Sequence, residues 1–458
     1  MQGMARNLGM TMRNRLMLAL VLAAALPVCA QSSAAPPAGV PVSLTTIIHL
    51  ALTNSTAVRI AATDLDKASA QYAETRQAYI PNLILGSSVG PPSYGFPVGQ
   101  PSIFSVSSSS LVLSFSQPEY IRAAHSGVLA AQSSLKDARE QVILDAASNY
   151  MELDTVARDL AAADEQQSRA ARLVEIEQQR VEAGVDPTSE LLQARLTAAE
   201  VKLKRMHLIT RQGTLRQQLA SLTGLPANVI QADAASIPEV PAIKAEQRMG
   251  SAPAIDAAYQ SALSHQFQAH GDTIAGVRPQ ISFGVVYNRD AAFSGYENYY
   301  KTFQSNNVSA GIQLSLPLFD PVHFSKRKES NAAALRSKIE AEQAAHQNEE
   351  QIASLDGSIA ELDVMAEVAA LHQQIAAEQL KTVAVQLSDG SGSSSSQQLS
   401  PRAEQQAHIE ERQRYIESVD AGFDLSRARL GLMRALGHME EWLHTLGPDS
   451  ATPATRPR

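Results

Sequence analysis

Between Pro118 and Glu182 the sequence offers a helix almost nothing to stop at: one glycine, Gly127, and no further proline. About 65 residues at ~1.5 Å each make a rod of about 95 Å, where globular helices average three or four turns. No single compact core can cover both ends of such a rod, so it must belong to an extended coiled coil. Ile143, Ala146, Tyr150, Leu153, Ala157 and Leu160 recur at spacings of three and four and predict its seam. The following helix carries Leu191, Ala194, Ala198, Val201, Leu208, Leu215, Leu219 and Leu222 in the same rhythm, with Arg205 and Gln212 interrupting it at seam positions. The many alanines allow close helix approach and bury little apolar area.

The long hairpin occurs twice. Tyr79-Ile80-Pro81-Asn82-Leu83-Ile84-Leu85-Gly86 is echoed by Val277-Arg278-Pro279-Gln280-Ile281-Ser282-Phe283-Gly284, each after a helical stretch and each opening an alternating one. Leu111 to Pro118 is echoed by Gly311 to Pro317, and a long helical stretch follows both. A glycine turn comes next, Ala183-Gly184-Val185-Asp186 in the first half and Ser388-Asp389-Gly390-Ser391 in the second. Further helices close near Leu222-Thr223-Gly224 and Ala435-Leu436-Gly437. Fixed order with small insertions marks an internal duplication: helix, strand, strand, long helix, turn, long helix.

Residues 82–90 and 105–116 form one candidate strand pair, and 280–288 and 305–316 the other. Leu83 and Leu85, then Ile281, Phe283 and Val285, then Ile312, Leu314 and Leu316 alternate as strands do. Segments of about 9–11 residues suit a membrane-spanning strand, though the same pattern fits a small soluble sheet capping a coiled coil. Four strands cannot close a membrane barrel, whose smallest form has about eight, and an open edge in lipid leaves backbone groups unpaired. If these strands span a membrane, several chains must share the barrel; strand counting alone leaves two, three or four open. The loop with Phe293, Tyr296, Tyr299, Tyr300 and Phe303 fits an interfacial girdle or cap, or a surface contacting glycan or ligand.

At the N-terminus Arg6, Arg13 and Arg15 precede the apolar run Leu16 to Leu22, and small residues close it at Val28-Cys29-Ala30. This predicts a secretory signal over residues 1–30, with cleavage after Ala30. Pro27 and Val28 stand where small residues usually precede a lipidated cysteine. Cys29 is the only cysteine, so the mature chain offers no disulfide framework and no thiolate chemistry. Losing the three arginines takes the formal charge from −8 to about −11, whereas a nucleic-acid binder shows a basic face. The eleven histidines are scattered. Neither His265 and His270 nor His438 and His444 have the i, i+4 spacing of a helical metal pair. No nucleophile elbow or phosphate-cradling loop is present, so neither an enzyme nor a cofactor is expected.

The order of these segments resembles the outer-membrane efflux protein family, the TolC-like channels. Leu44-Thr45, Ile48, Leu50-Ala51-Leu52 and Asn54 look like its opening helix; Ala183-Gly184-Val185 with Leu191-Leu192-Gln193-Ala194 is similar to its first helix–turn–helix. Leu219 to Pro226 resembles the close of its first repeat, and Leu314-Ser315-Leu316-Pro317-Leu318-Phe319-Asp320 the end of its fourth strand. The resemblance runs from about residue 43 to 443. It implies a mainly α fold of two tandem helix–strand–strand–helix–helix repeats with long periplasmic coiled-coil helices. Four strands per chain would enter a shared trimeric, twelve-stranded barrel in the outer membrane. As function it implies a channel subunit of a tripartite efflux or type I secretion system, passing pump substrates out passively. As partners it implies two further copies of the chain, a periplasmic membrane-fusion adaptor, an inner-membrane pump and outer-membrane lipid. The other reading of the hairpins is a periplasmic adaptor or scaffold without a channel, although strands at mid-repeat favour the channel.

The expected organisation is a linker over 31–42, repeats over 43–245 and 246–447, and a disordered tail over 448–458. Pro81 and Pro279 are expected at the starts of the strands, where barrel meets helices, and Pro118 and Pro317 at their ends. Gly184, Val185 and Asp186, with Asp389 and Gly390, mark the periplasmic tips and candidate adaptor contacts. The family often has an aspartate near the second tip, but here Gly390 to Pro401 is lengthened, rich in Ser and without acid. In the first repeat Asp186 and Glu190 sit at the matching turn. They form either a ring of acids in an oligomeric tunnel or a solvated pair.

Overall fold

The computed structural model describes residues 40–87, 102–243, 252–290, 304, 306–388 and 401–447. The expected signal with Cys29, the aromatic loop 293–303, the Ser-rich turn with Asp389 and Gly390, and the tail lie outside the described residues. The first repeat runs β1 (Val40–Val42), α1 (Leu44–Asn54), α2 (Thr56–Gln77), β2 (Ile84–Gly86), β3 (Ser102–Ser114), α3 (Gln117–Glu182), α4 (Thr188–Thr223) and β4 (Ile230–Ala232). The second runs α5 (Pro253–Ala275), β5 (Gln280–Asp290), β6 (Asn306–Ser315), α6 (Pro321–Ser388), α7 (Pro401–Leu436) and α8 (Met439–Thr445). The duplicated order is therefore present, with strands inside each repeat and a long helix pair after them.

α3 has 66 residues and α6 has 68, each about 100 Å long. α3 begins with Pro118 in its first turn, where a missing N–H costs nothing, and Glu119 beside it suits the positive end of the helix. It stops at Gly184, whose φ of 71° is open to glycine at little cost. There Gly184 N–H donates to the Val181 carbonyl and Val185 N–H to the Arg180 carbonyl, both at 2.9 Å, the paired bonds of a Schellman cap. α7 ends the same way: His438 N–H reaches the Met433 carbonyl at 2.9 Å and Gly437 has φ 77°.

The seam of α3 follows the expected residues as far as Leu153 and then slips. Val156, Asp159, Ala163, Gln166, Ala170, Leu173 and Glu177 are buried, while the expected Ala157 is exposed. The spacing from Leu153 to Val156 to Asp159 is three and three, a local departure from the heptad that rotates the buried stripe. Beyond this point α3 lies against both α4 and α7, so its buried face answers to two partners. Arg205, the apparent flaw in the α4 seam, forms an ion pair with Asp164 of α3.

The main core lies where α1, α3, α4, α7 and α8 meet, with Ile47, Ile48, Ile143, Leu215, Leu219, Leu430 and Met439 fully enclosed. Val40–Val42, at the end of the expected linker, pairs in parallel with Ile230–Ala232 beside it. Tyr150 ties this corner together. Its hydroxyl donates to the Val42 carbonyl at 2.7 Å and accepts from Asp233 N–H at 2.8 Å. Tyr150→Phe leaves both groups without that partner and is expected to destabilise the fold by about 1–3 kcal/mol. Chemical denaturation of the purified protein measures it.

The four longer-range strands form one antiparallel sheet in the order β2–β3–β5–β6. The two expected hairpin pairs are thus joined by β3–β5, the strand pairing between the repeats. In β5 and β6, Ile281, Phe283, Val285 and Tyr287 lie opposite Leu314, Ile312, Ala310 and Val308, so one face is continuously apolar. The other face carries Ser282, Gly284 and Asn288 against Gln313, Gly311 and Asn307.

Candidate functional sites: sheet edges, helix junction and hairpin tip

β2 and β6 are the outer strands of the sheet, each with one strand neighbour among the described residues. Every residue of β6 is exposed in the single chain, including Val308, Ile312 and Leu314. An edge this apolar on the β5–β6 face, ending in a ten-residue strand without a second neighbour among the described residues, is an aggregation hazard in water. α6 repeats the theme: Val364, Val368, Leu371 and Ile375, spaced four, three and four, are each about half exposed. That is a coiled-coil seam left half exposed by the described helices. The same periodicity that marks α3 and α4 would have found it in the sequence.

The four prolines sit at the junction between sheet and helices. Pro81 and Pro279 precede β2 and β5, and Pro317 follows β6. Pro118 lies four residues beyond β3 and belongs to the first turn of α3 rather than to a strand end. A cavity of about 580 Å³ at this junction is lined by Phe115, Arg278, Leu316, Phe319, Asp320 and His323 among others. Asp320 starts α6 by accepting from Val322 N–H at 2.9 Å and His323 N–H at 3.2 Å. The His323 ring, at 2.7 Å, is the largest influence holding the Asp320 carboxyl below the usual carboxylate range.

At the described tip, the Schellman turn aims Val185 outward, 62% exposed. Asp186 folds back onto α3, accepting from Arg180 Nε at 2.5 Å and Nη2 at 3.1 Å. This hydrogen-bonded guanidinium holds the Asp186 carboxyl below its ordinary range. Glu190 accepts from Arg402 Nη2 of the second repeat at 2.5 Å, and Arg402 Nε lies 3.3 Å from Glu177 Oε1. Both acids of the expected ring therefore have a cation partner within the chain. Arg180 and Arg402 were missed by sequence reasoning. The first is visible as a basic residue just before the glycine turn; the second depends on how two helices more than 200 residues apart are aligned.

The sequence profile described as "Outer membrane efflux protein" matches residues 47–228. No curated protein matches the chain by sequence. Among solved structures, the CmeC outer membrane channel of Campylobacter jejuni superposes with a TM-score of 0.70 at 14% identity, covering 88% of this chain and 89% of that one. The outer membrane protein VceC of Vibrio cholerae gives 0.67 at 18% identity, with 86% and 96% covered. The open state of the MtrE outer membrane channel of Neisseria gonorrhoeae gives 0.65 at 17%, with 86% and 89% covered. Residues 47–228 are thus similar in sequence to the outer membrane efflux proteins, and the described chain as a whole has the fold of solved outer-membrane channels.

Proposed function

We propose that this protein is one subunit of a homotrimeric outer-membrane efflux channel, in which three four-stranded sheets close a twelve-stranded barrel. The helices continue as a periplasmic tunnel for passive exit of pump substrates. The observation that carries this reading is the sheet itself: four strands, an apolar face on β5 and β6, and an outer strand on each side with a single neighbour among the described residues. Such a sheet satisfies its backbone in lipid only by closing with further copies. No helix among the described residues is long and apolar enough to cross a membrane, so the strands are the candidates for that role. The half-exposed seam on α6 supports the same assembly, because a neighbouring copy's helix would complete it. A family of transport channels rather than enzymes supports a passive role.

A periplasmic membrane-fusion adaptor and an inner-membrane pump complete the proposed system, with Gly184, Val185 and Asp186 as the described part of the docking tip. Asp389 and Gly390 are the corresponding candidates in the second repeat. With Asp186 and Glu190 paired to Arg180 and Arg402, this tip offers an adaptor a closed polar turn and the exposed Val185. In the assembled tunnel Asp186 and Glu190 would form the candidate acidic ring, each acid paired with an arginine of its own chain. The test is fractionation and electrophysiology of the full-length protein. A trimer resistant to mild heating in the outer-membrane fraction, conducting as single channels in planar bilayers, is the expected result. A soluble monomer in the periplasmic fraction overturns the proposal.

A further inference from the structure

Two buried carboxyls on α3 face the second repeat in positions the channel reading does not use. Glu140 is fully buried, and neither of its oxygens has a hydrogen-bond partner among the described residues. Around it stand Lys136 and Asp137 of α3, Arg434 of α7 and Glu440 of α8. The cations there are shared: Arg434 reaches Asp137 at 2.5 Å, and Glu440 is taken by Arg139 at 3.1 Å. Asp159, 2% exposed, lies further along α3 with Oδ1 unpartnered. Asp420 of α7 stands close enough to act on it as a second negative charge.

The charged groups around this second site come from three helices. Arg158 of α3 is held by Asp154. Lys204 of α4 donates to Gln413 at 2.9 Å. On α7, Glu417 is taken by Arg414 at 2.9 Å, and Asp424 adds negative charge next to Asp420. Two neighbouring carboxyls disfavour each other's ionised form, so the buried member keeps its proton more readily. Asp420 remains exposed on its outer side and gives that proton a path to water.

We propose that the α3–α7 contact, which joins the two repeats, is a proton-operated clasp: Glu140 and Asp159 hold it closed as neutral acids and loosen it on ionising. The neutral form fits because an ionised carboxylate buried without a hydrogen-bonded partner is strongly disfavoured. Burial is the largest influence at both sites and outweighs the nearby Arg434 and Lys136, or Lys204 and Arg158. Each pKa is raised to about 7, from 4.5 for Glu140 and 3.8 for Asp159. A folded pKa above the unfolded one means stabilisation fully present below about pH 4 and lost as pH rises through about 7. Acid therefore tightens the clasp. Asp159 sits about 35 Å of helix from Glu182, so the clasp grips the rod well behind the tip. It involves contacts within one chain and stands or falls separately from trimer and conductance.

The test is hydrogen exchange of the full-length protein in detergent at pH 6 and pH 8, corrected for the intrinsic pH dependence of exchange. Protection in α3 over 135–165 and in α7 over 405–435 is expected to fall about tenfold per carboxyl between those values, while β5 changes little. Glu140→Gln and Asp159→Asn, both neutral and nearly isosteric, should each remove about one tenfold step and remain protected at pH 8. If either fails to accumulate, Asp420→Asn gives the reading for the pair. Equal corrected protection at both pH values in the unaltered protein overturns the proposal. So does a pH dependence unchanged by all of these substitutions.

Discussion

Ile312→Lys is expected to remove the heat-resistant trimer from the outer-membrane fraction, while Gln313→Lys, one residue further along β6, leaves it in place. The two positions differ only in the face they occupy. Ile312 lies opposite Phe283 within the apolar face of β5 and β6, and Gln313 opposite Ser282 on the polar one. A lysine on the lipid side of a barrel costs about 2–4 kcal/mol near the midplane, and a trimer carries it three times. Toward the lumen the same charge meets water and costs little. Membrane fractionation with unheated electrophoresis reads both variants at once. Insertion of Ile312→Lys with loss of Gln313→Lys would reverse the assignment of faces. Equal tolerance of both would remove the sheet from the membrane altogether.

That experiment addresses alternation, which was the most legible property of the sequence. Period-two patterns placed β5 and β6 nearly to the residue, and the rods α3 and α6 were legible from the scarcity of helix breakers. Gly224 and Gly437 marked real helix ends because a left-handed cap leaves a chemical trace in the residue itself. Less was visible where two distant segments decide the outcome together. The β3–β5 pairing joins the repeats into one sheet, yet nothing in either strand names its partner. The slip of the α3 seam at Ala157 follows from packing against two helices, whereas a one-dimensional period assumes a single face. Nothing in the sequence sets Glu140, Asp159 and Glu177 apart from the surface acids of the same helix. Their burial comes from the position of α7 and has no local signature. The acids of the tip were legible as residues, but their pairing with Arg180 and Arg402 was not.

Arg402→Ala is expected to be among the most destabilising single changes outside the apolar core, through the acid it leaves behind. Glu177 is 1% exposed, and Arg402 is its ion-pair partner at 3.3 Å. Removing the cation strands a carboxylate where water cannot reach it. Breaking a fully buried pair this way costs about 3–5 kcal/mol, and the partial exposure of Arg402 screens some of that, so about 2–3 kcal/mol is expected. Glu190, the other partner of Arg402, is about one-third exposed, so Glu190→Gln should cost well under 1 kcal/mol. Adding Glu177→Gln to Arg402→Ala removes the stranded charge and should recover most of the loss. A double-mutant cycle by denaturant unfolding, with hydrogen exchange at the start of α7 locating the change, separates this from lost packing of the arginine stem. Additive effects of the two substitutions would mean that Arg402 acts there as packing. A large coupling would make it the lock that aligns the first hairpin's tip with the second repeat.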